Sequence, residues 1–161
     1  MNIDEIKNTI QKELIKNKEE ELLKAKAVHN STKEYSESDD LKQESKYDTR
    51  AIEANYLKDA QAGRILSLNY ELTTLNALNL TPTSTIHTGA LVDVMENEDI
   101  KKKLFISPCQ SKSIINVDNQ KIHIISYDSP LGELLMGLEA SDSFVMELNG
   151  NEKYYEVIDI T

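Results

Sequence analysis

The sequence predicts an α+β protein: a long N-terminal antiparallel coiled-coil hairpin, residues 1–80, followed by a small β-rich domain, residues 84–161. Three observations carry this. Ahead of Thr81-Pro82 the chain has one glycine, Gly63, and no proline, and is dominated by helix-favouring Leu, Glu, Lys, Ala and Gln. Its apolar residues recur at helical spacing in narrow stripes. Beyond Thr81-Pro82 come Val/Ile-rich runs punctuated by Gly, Pro and Asn, the pattern of strands and turns.

The first helix carries Ile3, Ile6, Ile10 and Leu14, then polar Asn17 and Lys18, then Leu22, Ala25 and Val28. The second carries Ala51, Ala54, Gln61, Ile65, Leu68, Leu72 and Leu75. Ile65, Leu68, Leu72 and Leu75 alternate by three and four, which is a heptad seam. A narrow stripe between charged faces suits two helices zipped together better than one helix sunk in a globular core. The break falls at Ser36-Glu37-Ser38-Asp39-Asp40, residue types that compete for backbone hydrogen bonds and favour turns and helix caps. A short break between long helices implies an antiparallel hairpin, and arms of roughly 35 residues at ~1.5 Å each give a length on the order of 50 Å.

In the second segment strands are expected at Ala90–Met95, Lys103–Ile106, Lys121–Ser126, Ser143–Leu148 and Lys153–Ile160. Gly150-Asn151 is read as the turn between the last two. Ser129-Pro130-Leu131-Gly132 begins a short helix, with Ser as cap and Pro in the first turn, and Gly137 ends it. The Lys101-Lys102-Lys103 run reads as a solvated face, with a polymerase or RNA contact as the alternative.

Composition narrows the function. The chain has 161 residues and a formal net charge of −10. That charge argues against broad binding to a phosphate backbone, where clustered Lys and Arg supply most of the affinity, so a nucleic-acid role would be indirect. No apolar run approaches the ~18 residues of a membrane span. The start, Met1-Asn2-Ile3-Asp4-Glu5, lacks the basic-then-apolar order of a signal peptide. Cys109 is the single cysteine and is read as a small packed or surface thiol; with His29, His87 and His123 it makes no zinc spacing. A cytoplasmic location is expected.

Asp128-Ser129-Pro130-Leu131-Gly132, Leu134-Leu135-Met136-Gly137, Asp142 and Gly150-Asn151-Glu152-Lys153-Tyr154-Tyr155-Glu156-Val157-Ile158-Asp159-Ile160 together resemble the C-terminal signature of the Gre transcript-cleavage factors. In that family a Ser-Pro-Leu-Gly helix, a Gly-Asp turn and a closing Gly-Glu-x-Tyr-Glu-Ile strand follow in this order. Asp40-Leu41 and Tyr47 resemble the family's Asp-Leu-Ser-Glu-Asn-x-x-Tyr hairpin tip. Two positions depart. Gln43 stands where the family has its second tip carboxylate, with Glu44 following, and Ser141 replaces the glycine before Asp142.

The resemblance implies an FKBP-like C-terminal domain, bacterial RNA polymerase as partner, a monomer, and no catalysis by the chain alone. It implies that the hairpin enters the polymerase's secondary channel and stimulates the polymerase's own cleavage of backtracked RNA. Asp40 and Glu44, with Asp39 as a spare, would then help hold a Mg²⁺ shared with the polymerase. Carboxylate oxygens suit that ion, and residues four apart can face one way on a helix. Asp128, Ser129 and Pro130 would grip the polymerase at the channel rim. The same residues also have purely structural readings: Asp39, Asp40 and Glu44 as a helix cap and first turn, and Asp128-Ser129-Pro130 as a capped turn. Three other functions stay open: a non-cleaving channel regulator of the same architecture, a prolyl isomerase, and a plain coiled-coil interaction protein. Against the isomerase, the chain has no Trp and only Phe105 and Phe144.

Overall fold

The computed structural model describes residues 1–36 and 49–161. Two long helices come first, α1 (Ile3–Ser36) and α2 (Thr49–Asn76). Six strands and a short helix follow: β1 (Leu91–Glu96), β2 (Ile100–Ser107), β3 (Ile114–Val117), β4 (Gln120–Ser126), α3 (Pro130–Leu135), β5 (Ser143–Leu148) and β6 (Asn151–Ile160). The α+β architecture read from the sequence is what the chain adopts. Packing divides it into two compact units, one of Met1–Ile15 with Thr74–Thr161 and one of Lys16–Thr73. Secondary structure changes near residue 80, whereas the packing boundary lies inside both helices.

The first unit is built on one six-stranded sheet of order β3-β4-β2-β1-β6-β5. Neighbours are antiparallel except β2 and β4, which run parallel from Lys103↔Ile122 to Ser107↔Ser126. Both faces are covered. On one, Ile6, Ile10 and Leu14 of α1 and Leu75 of α2 pack with Leu91, Phe105, Cys109, Ile122 and Ile124. On the other, Leu135 of α3 packs with Val92, Val94, Leu104, Ile106, Tyr155 and Val157. Covering both faces explains why β1 buries residues on both sides, Leu91 in one core and Val92 and Val94 in the other. The helix start is capped reciprocally: the Asn2 amide donates to Glu5 Oε2 at 3.1 Å, and the Glu5 amide donates to Asn2 Oδ1 at 2.8 Å.

In the second unit the helices run antiparallel, as the pairing of early α1 with late α2 requires. Lys18 Nζ meets Glu71 Oε2 at 2.8 Å, and Arg64 reaches Glu21 at 3.0 Å and Glu71 at 3.5 Å. Leu68 and Ala54 are buried, and so are the polar Asn17 and Lys18. Leu22, Ala25, Ala51, Gln61, Ile65 and Leu72 are half-buried.

Several expectations need correction. Ile3 and Val28 extend the expected stripe of α1, but both are exposed, at 44% and 54%. The strand β3 has no counterpart in the sequence reading; at four residues it is too short for its alternation to register. The last hairpin turns on Asn149-Gly150, with φ of 53° and 77°, and Asn151 already pairs with Leu148. A two-residue loop with positive φ at both positions matches the twist of the strands it joins. Of the expected solvated run Lys101 stays exposed, while Lys102 and Lys103 are held in ion pairs. They lie in β2, where Lys102 contacts Glu96 at 2.5 Å and Lys103 contacts Asp93 at 2.8 Å.

Candidate functional site

Of the candidate residues at the hairpin tip, Asp39, Asp40, Gln43 and Glu44 lie outside the described residues. The candidate turn Asp128-Ser129-Pro130 is described in full, between β4 and α3.

Ser129 organises this turn. Its backbone is extended, at φ −76° and ψ 158°, and its Oγ accepts a hydrogen bond from the Gly132 amide at 3.1 Å. The same hydroxyl donates to the Ser126 carbonyl at 2.7 Å, tying the helix start to the end of β4. Pro130 occupies the first helical turn, where a missing N–H costs nothing. Gly132 is demanded by contact: a Cβ there would stand 2.0 Å from the Ser126 carbonyl oxygen. Asp128 is exposed, and the Ser126 hydroxyl donates to its Oδ1, which fixes the carboxylate's direction. Tyr127 and Leu134, 45% and 41% exposed, flank the turn on the chain. The sequence reading named Asp128, Ser129 and Pro130 but not these two apolar neighbours. Their exposure depends on which side of the sheet end faces out, and no local pattern states that.

A second polar group sits on the sheet and was not singled out from the sequence. The Glu96 carboxylate, almost fully buried, receives Tyr155 Oη at 2.9 Å, Lys102 Nζ at 2.5 Å and Lys153 Nζ at 3.3 Å. Burial by itself works to raise the Glu96 pKa. The hydrogen bonds from Lys102, Tyr155 and Lys153 outweigh it and hold the group below its ordinary value. Burial first, then Glu96, pushes the Tyr155 hydroxyl up to about 12. Glu96 pairs across β1 and β6 with Tyr155, so the cluster is a cross-strand clamp joining β1, β2 and β6. The ring of Tyr155 also stacks on Phe144 at 5.3 Å.

Among the described residues there is no group of three or more His, Cys, Asp and Glu side chains that could hold a metal ion. No described helix is long and apolar enough to cross a membrane.

Comparison with known proteins bears on the half of the chain that holds the turn. The family model described as "Transcription elongation factor, GreA/GreB, C-term" matches residues 81–161, half of the sequence. The chain is 28% identical over 169 residues to the transcription elongation factor GreA of Lachnoclostridium phytofermentans, covering 97% of this chain and 96% of that protein. Solved structures similar to it include Gfh1 of Thermus aquaticus, at 16% identity and a TM-score of 0.39, covering 95% of this chain and 92% of that one. Gfh1 of Thermus thermophilus is similar at 19% identity and a TM-score of 0.38, covering 95% and 93%. The family match over residues 81–161 takes in α3, its Ser129 cap and the closing β5–β6 hairpin, and the chain belongs to the GreA/GreB transcription elongation factor family.

Proposed function

We propose that this protein binds RNA polymerase through the Asp128-Ser129-Pro130 turn and stimulates the polymerase's own cleavage of backtracked RNA through the acidic segment between α1 and α2. The observation that carries this reading is the family match, which includes the exposed, internally braced turn. A carboxylate held in one direction, with exposed Tyr127 and Leu134 on either side in sequence, offers a charge and apolar contacts to a basic partner. At the tip, carboxylates are the donor type that magnesium prefers, and Asp40 and Glu44 would lend oxygen ligands to the ion in the polymerase active site. Asp39 is the adjacent spare. Nucleic acid is then met only through the elongation complex.

The test is a cleavage assay on backtracked elongation complexes. Wild-type protein shortens the RNA, and Asp40→Ala or Glu44→Ala strongly reduces this while leaving polymerase binding intact. Asp128→Lys weakens polymerase binding by about tenfold or more without unfolding the protein. Alanine variants that cleave like wild type would reduce the tip to a helix cap.

One sequence feature favours a second reading, a non-cleaving channel regulator. Gln43, a neutral and weaker ligand, stands where the family places its second carboxylate. If wild-type protein binds polymerase without stimulating cleavage and Gln43→Glu confers cleavage, that reading holds.

A further inference from the structure

The helix α2 carries two apolar stripes on opposite sides. The buried one contains Ala54, Leu68 and Leu75. The other, Ile52, Tyr56, Asp59, Gly63, Leu66 and Tyr70, recurs by four, three, four, three and four, which is a second heptad seam. At 100° per residue, about 3.6 to the turn, these positions fall on one narrow face turned roughly half a circle from the first. That face is in solvent: Tyr56, Leu66 and Tyr70 are 72%, 71% and 74% exposed, and Ile52 is 43% exposed. Only Asp59 is charged in the stripe, in a chain with 29% charged residues. Depletion of charge with exposed tyrosine marks protein interfaces more than solvated helix faces.

We infer that this face of α2 binds the same face of a second copy, with the two helices antiparallel about a two-fold axis. The stripe is self-complementary when reversed. Antiparallel pairing centred between Asp59 and Gly63 sets Ile52 against Tyr70, Tyr56 against Leu66 and Asp59 against Gly63. Each ring thus meets an aliphatic side chain, as an isologous interface requires. The one acid meets the one residue without a side chain, and a Cβ at Gly63 would have no atom within 4 Å in the single chain. Lys26 and His29 line the groove beside Ala62 and Leu66. In this register that groove is where Asp59 of the second copy arrives, so its charge meets basic side chains. Two tyrosines and two aliphatic residues offer on the order of 500 Å² per copy. That is about 1,000 Å² in all, at the lower limit of specific interfaces. The dimer is therefore weak and reversible. Self-association departs from the monomer that the family resemblance implies, and it does not depend on the proposed function.

Sedimentation equilibrium of the full chain tests it. The mass should rise from 18.2 kDa toward twice that value as concentration increases through the micromolar range. Leu66→Lys should hold the chain monomeric with unchanged helicity, since the residue is exposed, and Asp59→Lys should weaken association about tenfold. Register is read by cross-linking, with buried Cys109 left in place. A mixture of Tyr56→Cys and Leu66→Cys chains should oxidise to the mixed disulfide dimer faster than either variant does alone. Wild-type protein that stays monomeric into the high micromolar range would overturn the inference. So would a dimer that survives Leu66→Lys, preferential like-with-like cross-linking, or a face whose variants lose polymerase binding while the wild type never self-associates.

Discussion

Two lysines on α1 are buried in opposite ways, one in each unit. Lys7, in the sheet-based unit, is fully buried with no hydrogen-bond partner for its Nζ among the described residues. Lys18, in the helical unit, is 3% exposed but contacts Glu71 at 2.8 Å and Glu21 at 3.4 Å. Around Lys7 the apolar core is dense enough to hold the helix in place: Ile6, Ile10, Leu14 and Leu75 share it with Phe105 and Ile122. Around Lys18 the seam is thin, and the polar Asn17 is buried beside it. The sheet-based unit is thus stabilised chiefly by removing apolar surface from water. In the helical unit ion pairing does more of the work of fixing which helix faces meet.

The largest expected effect separates the two regions directly. Leu14→Ala, at a site with no exposure, should cost about 2–5 kcal/mol of stability. Leu22→Ala, at the half-buried seam, should cost about 1 kcal/mol or less. Denaturant unfolding measures both, and equal costs would break the contrast. Next is Glu71→Ala, which strips Lys18 of its nearer carboxylate. With the Glu71 side chain 18% exposed, the cost should be about 1–3 kcal/mol. Lys18→Met, which removes the buried charge along with its need for a partner, should cost less.

Lys7→Met sharpens the comparison from the other side. It removes an unpaired buried amine while keeping the apolar stem, and should raise stability by about 1 kcal/mol at neutral pH. Burial lowers the Lys7 pKa in the folded protein, against a weaker opposing pull from Asp4. The unfolded chain therefore binds the proton more tightly. The penalty is complete below the folded value and is relieved as pH rises through it toward 10.5. Wild-type stability should accordingly climb with pH in that window relative to Lys7→Met, and parallel pH profiles would show that Lys7 is not the cause.

The smallest expected effect concerns Ser141, which adopts a φ of 74° where the family carries glycine. The turn is held by the Glu139 amide donating to Asp142 Oδ2 at 2.8 Å and by the Ser141 amide donating to the Val157 carbonyl at 2.8 Å. Ser141→Gly should stabilise the protein by about 0.5–1 kcal/mol in thermal unfolding, because glycine takes the left-handed region without a Cβ clash.

Much of the fold was legible from local chemistry. Helix-favouring composition and heptad spacing located α1 and α2, and Ser129, Pro130 and Gly137 bounded α3, because caps and breakers act within a few residues. The turn at Asp128 was legible for the same reason, and the family match runs through it. What packing decided was less visible. The parallel pairing of β2 with β4, the place of β3 at the sheet edge and the clamp on Glu96 all join residues distant in sequence. The same holds for the roots of α1 and α2, whose apolar stripe reads as a helix seam yet enters the core of the sheet. An apolar position states that it will leave water, but not which surface will cover it. That choice depends on the free energy of the whole packed arrangement, and here it buried one stripe of α2 and left the opposite one in solvent.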